Sequence, residues 1–176
     1  MIKINDNYHL SPTLASDRET FVKYLNDEEI YRNTLRVPNP YTLADADYFI
    51  KMCTEKKEKF GREMEFRIRL TTTGESVGGI SLHGMYGANS HRDEIGYALY
   101  APYRNKGIMT AALKTFCEYV FENHPLTRLE ATIFDFNDVS AKLLERVGFI
   151  LEGKMKNYYI KDGNYIDALL YAFIKK

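Results

Sequence analysis

The sequence contains no tryptophan, only two cysteines and five prolines in 176 residues, and no surplus of either charge. The cysteines, Cys53 and Cys117, fall on apolar stripes of helix-like segments, which argues against a disulfide framework and fits reduced core thiols. Lysine plus arginine and aspartate plus glutamate each number 24. A protein that coats nucleic acid needs a basic excess to neutralise phosphates, so direct nucleic-acid binding is not expected. A small basic patch for a phosphorylated ligand is compatible with the balance. No stretch approaches the roughly 20 apolar residues of a membrane span. The opening MIKINDNYHLSP has neither the basic start nor the apolar run of a secretory signal. A cytoplasmic chain with no membrane partner is therefore expected.

What is present suffices for one core. Hydrophobic residues make up 45% of the chain, with 14 tyrosines and 10 phenylalanines, so a single domain over residues 1–176 is expected. Phe21, Val22 and Leu25 predict a helix over about 17–26, and Val37-Pro38-Asn39-Pro40 breaks what precedes it. Thr42 is read as the N-cap of a second helix through Phe49, Met52, Cys53 and Phe60, with a solvated end at Glu55 to Lys59. The period then changes. Phe66, Ile68 and Leu70 alternate with Arg67 and Arg69, which predicts a half-buried strand. Thr73-Gly74-Glu75 turns the chain into a returning strand over 76–83, where Gly78-Gly79 marks a bulge or a close approach. Ile95, Tyr97 and Leu99 alternate again before Ala101-Pro102 ends the strand.

Residues 108–123 carry the strongest helical stripe, Met109, Leu113, Phe116, Cys117, Val120 and Phe121, ended by Pro125. A strand over 128–134 follows, then a shorter helix over 137–147 stopped by Gly148. Two strands around Lys161-Asp162-Gly163-Asn164 complete the chain, and the last, 166–174, is apolar on both faces, which predicts cover on both. This order implies an α/β (α+β) fold, a mixed sheet with helices on both faces.

Leu99 ends a strand, residues 101–105 connect, and Gly107 opens the strongest helix. A helix start has orphan N–H donors and a positive dipole end, which suits a phosphate or pyrophosphate. Gly107 lets an oxygen approach the backbone, while Arg104 and Lys106 add cationic donors. By local physics alone the same residues also read as a solvated helix cap.

Arg104-Asn105-Lys106-Gly107-Ile108-Met109 resembles the cofactor motif of the GNAT superfamily of N-acetyltransferases: Gln or Arg, two variable residues, Gly, one variable residue, then Gly or Ala. Met109 departs from the last position. Glu94-Ile95-Gly96-Tyr97-Ala98-Leu99 is similar to the preceding family strand. Asn137-Asp138-Val139-Ser140, with Leu144-Glu145 and Gly148-Phe149, resembles the second signature of the ribosomal-protein-alanine N-acetyltransferase branch (RimJ/RimL-like). The resemblance implies a mainly antiparallel sheet of about six to seven strands. Two neighbouring parallel strands, one ending near Leu99 and one over 128–134, would splay apart around acetyl-coenzyme A. It implies cofactor contacts from Tyr97, Ala98 and Leu99, from Arg104 through Thr110, and from Asn137 and Ser140. The implied reaction is direct acetyl transfer to a primary amine, with a protein N-terminal α-amine favoured. A polyamine, aminoglycoside or amino acid acceptor is the alternative, and a coenzyme A-binding module without turnover is the non-enzymatic one.

Direct transfer needs a group to take the amine proton and another to protonate the departing thiolate. Glu94 is the candidate base, directly or through water, against a structural role at a strand edge. Ser140 is the candidate proton donor or cofactor contact, against a first-turn residue under an Asn137 cap. Tyr158 and Tyr159 should face opposite sides of a strand, so one is expected at the acceptor entrance and the other in packing. Tyr158 is the catalytic candidate of the two and Tyr159 the substrate contact. Tyr31 and Arg32 are further acceptor-site candidates. His83 and His91 lack a ligand cluster and are expected to pack or face solvent, so no metal is expected. An exposed sheet edge leaves a homodimer open.

Overall fold

Eight strands and five α-helices make up the computed structural model, which describes residues 1–87 and 89–176. In chain order they are β1 (Ile2–Lys3), β2 (Tyr8–Pro12), α1 (Arg18–Leu25), α2 (Glu28–Asn33), α3 (Leu43–Phe60), β3 (Glu65–Leu70) and β4 (Ser76–Leu82). There follow β5 (Arg92–Leu99), α4 (Ile108–Asn123), β6 (Arg128–Phe134), α5 (Asp138–Val147), β7 (Ile150–Lys161) and β8 (Asn164–Ile174). The strands form one sheet in the order β1-β2-β3-β4-β5-β6-β8-β7, antiparallel throughout except for β5 and β6.

Three elements exceed the sequence reading: β1, β2 and α2. The first two are short, and α2 has six residues with only Ile30 buried, so no stripe announces it. Its start is set instead by Asp27, whose carboxylate accepts the Ile30 N–H at 2.9 Å. The second helix begins as expected, with a capping box between Thr42 and Asp45.

The main core lies between one face of the sheet and α4 with α5. Leu113, Phe116, Cys117 and Val120 of α4 meet Ile68, Ile80, Ile95 and Leu129 from the strands. The other face carries α1 and α3, packed through Phe21, Ala46 and Phe49. β3 is therefore buried on both faces, not half-buried as its alternation suggests. Its arginines lie under α1 and α3; Arg69 is fully paired, whereas Arg67 has only a 3.9 Å approach to Glu65 and aromatic neighbours, its Nε without a partner among the described residues. Arg69 donates to both Asp17 oxygens at 2.7 Å, and also to Ser11 Oγ and the Pro12 and Gly74 carbonyls. The Arg67 guanidinium stacks over Phe21 and Phe49 and occupies the space a side chain at Gly79 would need. Gly78 and Gly79 are both close approaches, Gly78 to the Ala98 carbonyl and Leu99 and Gly79 to Arg67, and the register shift between Ile68 and Arg69 is the bulge. The last strand meets its expectation in part: Ala168 and the consecutive Tyr171 and Ala172 are buried, so both faces are covered there, but Ile174 is exposed. At its start the hairpin with β7 runs past the residues that pair with β6.

The feature that makes a site is the β5–β6 pair. Parallel pairing runs only over Arg92/Arg128, Asp93/Leu129 and Glu94/Glu130. Beyond it β5 continues beside β4 to Leu99, and β6 continues beside β8 to Phe134. The strands splay apart after Glu94.

Candidate active site

A cavity of about 640 Å³ occupies the splay. β5 from Glu94 to Leu99 forms one wall, and Thr132, Ile133 and Phe134 of β6 form the other. The start of α4 and the residues Asn137, Val139, Ser140, Leu143 and Arg146 close one side. His83, Met85, Tyr158, Tyr159 and the segment 33–37 also line the cavity, with Asn33 beside Asn137 and Val139 and Arg36 near Glu94, His83 and Tyr159.

Strand pairing dictates what β5 offers this space. His83 N–H donates to the Glu94 carbonyl and Tyr100 N–H to the Val77 carbonyl. Positions 94, 96, 98 and 100 thus turn their backbone groups to β4, and the intervening positions turn theirs to the gap. The Leu99 carbonyl is taken by Arg104 Nε at 3.0 Å. Tyr97, beyond the last parallel pair, turns its N–H and C=O into the cavity.

The helix start is open in the same way. Gly107 is a left-handed N-cap at φ 73°, with no side-chain cap and no acidic residue in the first turn. The first helical bond runs from Ala111 N–H to the Gly107 carbonyl, so the N–H groups of Ile108, Met109 and Thr110 precede any intrahelical acceptor. No heavy atom lies within 4 Å of where a Gly107 Cβ would stand, so conformation rather than crowding calls for glycine there. Met109 packs its side chain into the main core, 7% exposed. Its bulk points away from the helix start, leaving the amides accessible. An uncapped donor cluster beside a gap-facing strand fits a pyrophosphate followed by an extended amide-bearing arm.

The basic residues of the motif are arranged differently from simple phosphate donors. Arg104 pairs with Asp27 at 2.9 Å and Glu29 at 2.6 Å, so it ties the loop to α2. Burial pushes the Asp27 carboxyl up, but the Arg104 and Ile30 hydrogen bonds outweigh it and hold the group below its usual range. Asn105 lines the cavity at φ 60°. Lys106 donates to the Pro102 carbonyl at 2.8 Å and does not line the cavity. Arg146, which no motif signalled, does line it.

On the α4–α5 face, the Tyr97 hydroxyl and Ser140 Oγ are 2.5 Å apart. Asn137 is the α5 N-cap, its Oδ1 accepting the Ser140 N–H at 3.1 Å. Burial raises the Tyr97 phenol well above its ordinary value, while the Ser140 hydrogen bond pulls the other way. Tyr97 therefore stays protonated at neutral pH and can donate.

On the opposite face Glu94 is buried, with His83 Nδ1 3.9 Å from its Oε1. Burial raises the Glu94 carboxyl, against hydrogen bonding from Thr132 and the positive charge of Arg36. Burial likewise lowers His83 to about 4, so the imidazole is neutral and the contact is not an ion pair at neutral pH. His83 is thus a cavity residue, found by cross-strand register to Glu94 rather than by motif. His91 contributes a backbone carbonyl to Thr127 and Arg128. Among the described residues no group of His, Cys, Asp or Glu has the spacing of a metal site.

Tyr158 and Tyr159 depart from strand alternation. Both line the cavity, with rings 4.7 Å apart at 78°. The cause is Asn157, at φ 50° with its N–H donated to Asp167 Oδ1, within a register break between Met155 and Tyr159. Tyr31 and Arg32 do not line this cavity. The Tyr31 hydroxyl donates to Asp162 at 2.8 Å and its ring lies under Lys161, while Arg32 lies over Phe136. Cys53 and Cys117 are buried and free, and burial pushes both thiols up to about 12, which rules them out as nucleophiles at neutral pH.

A family model described as an acetyltransferase (GNAT) domain matches residues 8–150. The chain belongs to the GNAT acetyltransferase family. It is 34% identical over 103 residues to a putative ribosomal N-acetyltransferase, YdaF, of Bacillus subtilis, a match covering 58% of this chain and 56% of that one. It is 26% identical over 148 residues to the L-amino acid N-acetyltransferase AaaT of Escherichia coli, covering 84% and 85%. Among solved structures, Mycobacterium smegmatis RimJ in complex with CoA-disulfide superposes with a TM-score of 0.83 at 25% identity, covering 95% of this chain and 81% of that one.

Proposed function

We propose that the protein is an acetyl-CoA-dependent N-acetyltransferase that acetylates a primary amine by direct transfer, with a protein N-terminal α-amine as the acceptor class. The observation that carries this reading is the splay of β5 from β6, which places an open helix start, a gap-facing Tyr97 backbone, Glu94 and the Tyr97–Ser140 pair around one cavity. When bound, acetyl-CoA supplies an acetyl group activated as a thioester. The N–H groups at the start of α4 would hold its pyrophosphate, and the Tyr97 N–H would polarise a carbonyl lying in the gap. Glu94 would accept the proton of the incoming amine, directly or through water. Ser140 would donate to the departing sulfur, with the Tyr97 hydroxyl supplying the proton behind it. The two proton-transfer groups lie on opposite faces of β5, which separates acid from base.

The relation to a putative ribosomal N-acetyltransferase supports the protein acceptor. A free amino acid is the second reading, supported by the relation to an L-amino acid N-acetyltransferase. The test is incubation with acetyl-CoA and a panel of peptides, amino acids and polyamines, following thiol release and product mass. Acetylated product with stoichiometric thiol is expected. Coenzyme A binding without transfer to any amine would instead identify a binding module.

A further inference from the structure

Arg36 stands on the segment between α2 and α3 and lines the cavity on the side that also carries Glu94, His83, Tyr158 and Tyr159. It is exposed, and among the described residues it has neither an ion pair nor a side-chain hydrogen bond. The other cavity-lining arginines are placed otherwise: Arg104 is paired with Asp27 and Glu29, and Arg146 lies on α5 with its Nε on the Lys142 carbonyl. The positive charge of Arg36 reaches Glu94, His83 and Tyr159. A cation at this position repels an incoming ammonium, which disfavours acceptors that bring only positive charge. An acceptor with its own carboxylate would turn the same cation into an anchor, since a guanidinium matches a carboxylate in a two-point fork. Tyr158, Tyr159 and Phe134 offer apolar surface for the rest of such a molecule.

We propose that Arg36 selects acceptors carrying a carboxylate within a few bonds of the reacting amine, as in a free α-amino acid or a peptide beginning with aspartate or glutamate, over polycationic amines. This rests on the transferase reading above and narrows its substrate class.

The test compares two matched pairs, phenylalanine against phenylalaninamide and Asp-Ala-amide against Asn-Ala-amide, with spermidine as the polycation. Acetylation kinetics are referred to the free-base fraction of each amine. In at least one pair the carboxylate member should have a kcat/KM about tenfold or more above its neutral partner, as expected for one charge-assisted contact. The pair that shows it identifies whether the carboxylate belongs to a free amino acid or to a first side chain. Arg36→Gln should erase that preference through KM when rates are compared on the pH plateau above the Glu94 limb, where any shift of Glu94 acts alike on both members of a pair, and Arg36→Lys should restore part of it. Equal rates within both pairs, an equal loss for both members in Arg36→Gln, or a preference for spermidine would each overturn the selection by Arg36 alone. Transfer to none of the five acceptors but to another amine of the wider panel would overturn it alone, and transfer to no amine at all would overturn it together with the transferase reading.

Discussion

The Tyr97 hydroxyl lies 2.5 Å from Ser140 Oγ, joining β5 to the first turn of α5 across 43 residues of sequence. Each residue is placed by its own element: Tyr97 points there by strand alternation, and Ser140 sits in the first turn of α5, its N–H donating to the Oδ1 of the N-cap Asn137. If the pair delivers one proton, removing either hydroxyl should cost a similar amount. Tyr97→Phe and Ser140→Ala are each expected to lower kcat by about 10²-fold, the scale of a positioned proton donor. The double variant should lose little more than either single one. Multiplicative losses would show that the hydroxyls act independently.

Glu94 should govern the acid limb of the rate profile. Burial raises its carboxyl above the ordinary value despite the Thr132 hydrogen bonds and Arg36. A base works only when ionised, so kcat/KM should fall as pH drops through that raised value. Glu94→Gln should lower turnover by about 10²- to 10⁴-fold, most severely where the amine is still protonated, and should remove this limb. A wild-type profile in the variant would dismiss Glu94 as the base.

His83 gives a stability prediction of defined sign. Its folded value is lowered to about 4 from 6.5 by burial, so below pH 6.5 the unfolded chain binds a proton that the folded chain refuses. The stability associated with neutral His83 is complete above pH 6.5 and is lost progressively as pH falls toward about 4. The loss is at most about 3–4 kcal/mol. Urea denaturation across this window should show a shallower pH dependence for His83→Gln than for the wild type. Identical slopes would mean the imidazole is not held neutral.

Gly107→Trp combines two effects. Its positive φ should cost about 1–2 kcal/mol for any L side chain, lowering Tm by a few degrees. The indole would also stand in the open space before the α4 amides. Coenzyme A affinity measured by calorimetry should fall far more than the small Tm change implies. Retained affinity would remove the pyrophosphate from this helix start.

Local patterns revealed much of this molecule. The stripe from Ile108 to Phe121 gave α4, the Thr42–Asp45 box gave the start of α3, and Asn137 and Gly148 bracketed α5, because each is written within a few consecutive residues. The GNAT motif located one side of the cavity for the same reason. What escaped depends on distant partners. The alternation of Arg67 and Arg69 reads as solvent exposure until Asp17, 52 residues from Arg69, arrives to neutralise it. Arg104 reads as a free phosphate donor until Asp27 and Glu29, 77 and 75 residues away, take its charge. Arg36 and His83 carry no local signature: the antiparallel register of β4 on β5 brings His83 beside Glu94, and the segment between α2 and α3 brings Arg36 to the same cavity.

The most direct test is a crystal structure of the protein soaked with acetyl-coenzyme A or coenzyme A. The pyrophosphate oxygens should lie within hydrogen-bonding distance, about 2.7–3.2 Å, of the N–H groups of residues 107–110. The pantetheine arm should follow β5 into the splay past Tyr97, and its sulfur should end near Ser140. A cofactor bound elsewhere, or bound with its sulfur outside the β5–β6 gap, would contradict the account.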